Sequence, residues 1–135
     1  TLRLLRRDRD HWDRHGFGLW AFRDDRDGRF VGRAGLRHVP VGGTDEVELA
    51  YALMAEFWGR GLATEMAEAI LTVAFEHLGL EDVVCFTLPT NLASRRVMEK
   101  AGFAFERDVI HAGLPHVLHR LAAPGGRPNR HRTRS

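Results

Sequence analysis

The run Val83 to Leu88 is nearly unbroken in apolar side chains. A strand without polar alternation has to be covered on both faces. On either side of it stand segments of helical periodicity. Leu62, Met66, Ala69, Ile70, Val73, Ala74 and Leu78, with Phe75 beside them, recur at helical spacing over Gly61 to Leu78. Gly79 follows where a helix would end. Pro89-Thr90-Asn91 opens a second helix, which runs to about Ala101 and is closed by Gly102. A buried strand between two helices requires an α/β or α+β sheet with at least one parallel crossover.

The remaining segments supply strands. Phe17 to Phe22 and Phe30 to Leu36 flank the turn Arg23 to Gly28, in which Asp27-Gly28 is a hairpin signal. Gly32 and Gly35 predict a bulge or a close backbone contact within the second strand. The loop Pro40 to Thr44 leads into a strand over Val47 to Met54. Phe103 to Ile110 and His116 to Leu121 form a last pair around Gly113-Leu114-Pro115. Thr1 to His15 reads as an untidy helix broken by Gly16 and Gly18.

At 135 residues the chain fits one domain. No apolar run approaches the length of about 18 residues that a membrane span needs, and Thr1 to Asp13 has no apolar signal core. The single cysteine, Cys85, excludes an internal disulfide framework and suits a reducing, cytoplasmic setting. The net charge is +2, but Arg127, Arg130, Arg132 and Arg134 lie in the tail. Without those four the rest stands at −2, which argues against a nucleic-acid face on the body. Residues 1–121 are expected to be the folded domain and 122–135 a basic, disordered tail.

Trp58-Gly59-Arg60-Gly61-Leu62-Ala63-Thr64-Glu65 sits between a strand and the long helix. The first N–H groups of a helix lack intrahelical partners, and the helix dipole adds partial positive charge there. Glycines let backbone approach a ligand, and Arg60 adds a full charge. Such a turn suits a phosphate. It is neither a Walker loop nor the dinucleotide fingerprint, and alone it also fits a plain helix start. Further on, Asn91 either caps its helix or, with Ser94, faces a cleft at the strand end.

Together the two blocks resemble the GNAT superfamily of N-acetyltransferases, nearest its ribosomal-protein-acetyltransferase (RimJ/RimL) branch. The similarity rests on Trp58-Gly59-Arg60-Gly61-Leu62-Ala63-Thr64-Glu65, on Asn91 and Ser94 with Glu99-Lys100-Ala101-Gly102-Phe103, and on Glu48-Leu49-Ala50-Tyr51. It covers roughly residues 15 to 121.

The resemblance implies a mixed, splayed central sheet flanked by helices, and acetyl transfer from acetyl-CoA to a primary amine, either a protein N-terminus or a small molecule. Backbone at Leu53 and Met54 would meet the pantetheine arm. Trp58, Gly59, Arg60, Gly61, Leu62, Ala63 and Thr64 would hold the pyrophosphate side. Asn91 would reach the pantetheine, and Arg96 or Arg95 the adenosine phosphate. Glu48 is the candidate base, against the plainer reading of a solvated carboxylate, with His38 as a second candidate. The family's tyrosine seven residues after the Asn is Met98 here, so Ser94 is the candidate donor to the leaving sulfur. Only about fifteen residues precede Gly16, so the family's opening strand and first helix are expected to be missing. A homodimer is compatible with the resemblance, and a non-catalytic acyl-CoA-binding module is the alternative function.

Other signals read more plainly. His11 and His15 have helical ligand spacing but no adjacent Glu, and no metal is expected from them or from His111, His116 and His119. Cys85 is expected in the core. Trp58 is either a core anchor or a cover on the cofactor.

Overall fold

The structure, a computed structural model, describes residues 17–125 and the short segment 2–5, with backbone alone at 2–5, 17 and 19. Seven strands form one mixed sheet: β1 (Leu2–Leu5), β2 (Phe17–Asp24), β3 (Phe30–Val41), β4 (Thr44–Leu53), β5 (Asp82–Thr87), β6 (Ala104–His111) and β7 (Leu114–Ala122). Their spatial order is β1-β2-β3-β4-β5-β7-β6. Helix α1 (Leu62–Thr72) links β4 to β5, and α2 (Leu92–Lys100) links β5 to β6.

The opening segment departs from expectation. Leu2–Leu5 is a strand, paired antiparallel with Ala21 to Asp24 of β2. Four residues are too few for periodicity to separate strand from helix, and pairing along the edge of β2 decides it. The expected absence of an opening strand is thereby corrected. The first helix, the His11/His15 spacing and the tail arginines fall outside the described residues.

Turn chemistry sets the register of the next three strands. Gly28 (φ 77) closes the β2–β3 hairpin, braced by Arg26 on Asp24 at 3.0 Å. The β3–β4 turn is only Gly42-Gly43, both with positive φ (58 and 86), the twist that a two-residue hairpin needs. Pro40 and Val41 therefore belong to β3, not to a loop. Pro40 lies beyond the last β2 pair, Phe17 opposite Arg37, so its missing N–H costs no ladder bond to β2. Ala112 (φ 54) and Gly113 (φ 79) turn β6 into β7 in the same way.

The core lies between the sheet and the two helices. Phe22, Leu36 and Leu49 of the sheet meet Met66 and Ile70 of α1, Met98 of α2, and Phe103. Each such burial contributes about 1.5–3 kcal/mol. α1 continues as a wider π-helical turn over Val73–His77 and stops at Gly79 (φ 70). Cys85 is buried in this core. Val41, Val84, Val109 and Leu118 pack on the opposite face. There Arg120 bridges Glu46 (3.0 Å twice) and Glu106 (2.6 Å), with Asp82 at 3.4 Å. β7 runs through Ala122, and Ala123 N–H donates to Glu81, so ordered chain extends past residue 121.

Candidate active site

β4 and β5 run parallel, and among the described residues they pair only at Glu48 opposite Val84. Beyond that point they separate. The gap is a cleft of about 690 Å³ lined by residues 48–53, Trp58, Gly59, Ala63, Thr87, Asn91, Ala93, Ser94 and Val97. It runs from a carboxylate at the fork of the strands to the N-terminus of α1.

Glu48 is not a solvated carboxylate. It is 7% exposed, and Arg37 Nε donates to its Oε1 at 2.7 Å. Burial raises its pKa above the ordinary Glu value, outweighing the Arg37 bond and the charges of His111 and His116, which lower it. A carboxylate whose proton affinity is raised in this way is better suited to taking a proton from an amine. His38, the second candidate base, is exposed, with Nδ1 3.8 Å from Asp45, and does not line the cleft.

Tyr51 Oη and Ser94 Oγ lie 2.9 Å apart across the cleft, joining β4 to α2. Burial raises the tyrosine pKa, so the phenol keeps its proton. Met98, at the position where a tyrosine was sought, is buried in the core. The phenol that lines the cleft is that of Tyr51, on β4. Asn91 serves as the helix cap, its side-chain oxygen accepting from Ser94 N–H at 3.1 Å, and it also borders the cleft.

The α1 turn has the form a phosphate needs. Gly59 (φ 78) and Gly61 (φ 75) are left-handed, and nothing lies within 4 Å of where their Cβ atoms would stand. Gly61 provides no side-chain cap, which leaves the first-turn N–H groups of Leu62, Ala63 and Thr64 for an external acceptor. Arg60 stacks over Phe57 at 5.0 Å, which holds its charge at this mouth. Trp58 is no core anchor: it is 66% exposed, with its indole N–H on the Leu53 carbonyl at 3.0 Å. Met54 uses its N–H on Val31 and its carbonyl for Phe57, and lies outside the cleft lining. Arg96 is exposed and likewise outside it, while Arg95 binds the Pro89 carbonyl at 2.8 Å.

A match to the family model of the GNAT acetyltransferase domain spans residues 2–104. This chain belongs to the GNAT acetyltransferase family. Among curated relatives, FsC-acetyl coenzyme A-N(2)-transacetylase of Aspergillus fumigatus is 39% identical over 93 residues, covering 64% of this chain and 39% of that protein. Probable N-acetyltransferase YjcK of Bacillus subtilis is 32% identical over 91 residues, covering 67% and 49%. The chain thus spans roughly two fifths to one half of these relatives. A putative GnaT-family acetyltransferase from Bordetella pertussis superposes with a TM-score of 0.72 at 31% identity, covering 84% of this chain and 70% of that one.

Several residues in or near this cleft carry no catalytic or cofactor role in the sequence reading. Arg37 was legible in principle: counting outward from a two-residue turn at Gly42-Gly43 places it opposite Glu48. Tyr51 is the chain's one tyrosine and sits on the cleft strand. Phe86, His111 and His116 meet on the face opposite the helices, with ring centroids 4.5 to 5.8 Å apart. Their meeting depends on the β5-β7-β6 order, which local sequence does not state. Among the described residues no group of three metal-ligand side chains forms.

Proposed function

We propose that the chain transfers an acetyl group from acetyl-CoA to a primary amine. The observation that carries this reading is the fork itself, which sets a buried carboxylate, a hydroxyl pair and an uncapped helix N-terminus along one cleft. The α1 turn, from Trp58 to Thr64, holds the pyrophosphate. Arg96 lies at the outer end for the adenosine phosphate. The backbone of Leu53, whose carbonyl also accepts the Trp58 indole N–H, meets the pantetheine, with Met54 contributing at most a second acceptance at its carbonyl, and Asn91 borders the same arm.

Glu48 takes one proton from the incoming ammonium and passes it to solvent. The amine nitrogen attacks the thioester carbonyl carbon, the C–N bond forms, and the C–S bond breaks with its electron pair going to sulfur. Ser94 gives its proton to that sulfur and is resupplied by Tyr51, which recovers a proton from the amine's second loss by way of solvent. The products are an amide, a thiol and one released proton. A positioned base contributes about 10² to 10⁴ in rate.

The domain is taken as ending just past β7, with the basic residues that follow outside it. The amine belongs to a protein N-terminus or to a small molecule, and association as a homodimer and a cytoplasmic site of action go with this reading. For the described residues, no helix is long and apolar enough to cross a membrane. One observation favours the alternative of a non-catalytic acyl-CoA-binding module: the 2.7 Å bond by which Arg37 restrains Glu48. Thiol release from acetyl-CoA across a panel of amines separates the two. Turnover supports the transferase, binding without turnover supports the module, and no binding at millimolar acetyl-CoA rejects both.

A further inference from the structure

Arg37 and Glu48 are cross-strand neighbours, and Arg37 spends only part of its guanidinium on the carboxylate. Its Nε donates to Glu48. Its two Nη groups have no hydrogen-bond partner within the described residues, and the side chain is 53% exposed. A guanidinium carries five N–H donors in a planar fork, so a second anion can be bound without releasing the first. The exposed cation stands beside the base on the face opposite the helices, away from the pyrophosphate turn.

Next to the pair is the aromatic wall. Phe86 lies 4.5 Å from His111 and 5.8 Å from His116, centroid to centroid. His116 is oriented through Nδ1 on the Leu114 carbonyl at 2.9 Å. All three rings are half-buried, so they present surface to whatever enters. Phe86 stands two residues beyond Val84, the cross-strand partner of Glu48, on the same face of β5. The acceptor side therefore offers an anion for an ammonium, a cation with unused donors, and flat apolar surface.

We infer that the acceptor is a small amine bearing a carboxylate beside its amino group, an amino acid in form, with Glu48 receiving the ammonium, Arg37 the carboxylate, and the Phe86, His111 and His116 wall a flat side group. The inference rests on the acetyl-transfer reading and narrows it. A simple amine leaves Arg37 facing no anion. A protein N-terminus offers a neutral amide carbonyl at that position, which a charged donor binds less well than a carboxylate.

Phenylalanine and phenethylamine, which differ by the carboxylate alone, test it with acetyl-CoA as donor. Phenylalanine should be the better acceptor in kcat/KM by about tenfold or more, the worth of one charge-assisted contact. In Arg37→Gln the preference should collapse to about twofold or less, with the KM for acetyl-CoA unchanged. Equal use of the two acceptors by the unaltered protein overturns the inference, as does a better rate on an alanyl peptide. So does an Arg37→Gln variant that slows both equally, because Arg37 would then only position Glu48. If no amine is acetylated, the transfer reading fails by itself. Calorimetric titration of the same two compounds then decides: tighter phenylalanine binding that Arg37→Gln removes upholds the site, and equal or absent binding rejects it.

Discussion

Glu48 sits where stability and chemistry pull apart. Burial raises its pKa, so the folded protein holds this proton more tightly than the unfolded chain. The ionised form therefore subtracts from stability above the folded pKa, and protonation restores that loss as pH falls. As the proposed base, Glu48 acts in its ionised form. Turnover should fall as pH drops through a midpoint above the ordinary Glu range. Glu48→Gln should lower kcat by about 10²-fold or more while leaving the melting temperature at neutral pH unchanged or higher. Rate profiles and thermal melts on both proteins check this, and a variant with full activity would remove Glu48 as base. At Gly61 the issue is space and sign. Gly61→Glu forces a left-handed φ of 75° on a side chain and puts a carboxylate at the helix N-terminus. Acetyl-CoA affinity should drop at least about tenfold by calorimetry, and an unchanged affinity would detach the turn from the cofactor.

The elements show where sequence suffices and where it does not. Val83 to Leu88 and the Leu62 to Ala74 stripe were legible because burial on a sheet centre and on one helix face imposes patterns several residues long. The Asn91 and Gly61 blocks were legible because backbone turns demand particular residue types. Leu2–Leu5 was not, since an edge strand is defined by its neighbour. Pro40 pointed to a loop, and the shorter turn at Gly42-Gly43 prevailed because two glycines accept positive φ together. Gly32 was rightly suspected of a close contact: a Cβ there would run into the Ala52 carbonyl. The Arg120 cluster was invisible, because it joins β4, β5, β6 and β7. It also makes a prediction for the sheet. Arg120→Met takes a guanidinium from buried Glu46 and from Glu106, at a cost of roughly 3 kcal/mol. Glu106 has its pKa lowered, chiefly by its hydrogen bond from Arg120. That stabilisation exists above the ordinary Glu range and is lost as pH falls through the lowered value. The gap in melting temperature between the two proteins should therefore narrow in acid.

On the scale of the molecule, the sheet is two blocks, β1 to β4 and β5-β7-β6, seamed by the pairing of Glu48 with Val84 and the Tyr51–Ser94 bond. The core under α1 and α2 spans the seam. A ligand that lies in the fork touches both blocks and should act as a clasp. Acetyl-CoA at about 100 times its dissociation constant should add about 2.7 kcal/mol, raising the melting temperature by several degrees. The same ligand should slow amide exchange on both β4 and β5. Protection confined to one strand would place it elsewhere.

Cys85 is the chain's single cysteine, and its thiol is buried, with its pKa pushed up to about 12 mainly by burial. A thiol that neither ionises nor meets solvent is silent towards disulfide reagents. Any sulfhydryl colour that develops while the native protein works therefore belongs to the spent donor, so turnover can be followed continuously without first blocking the protein.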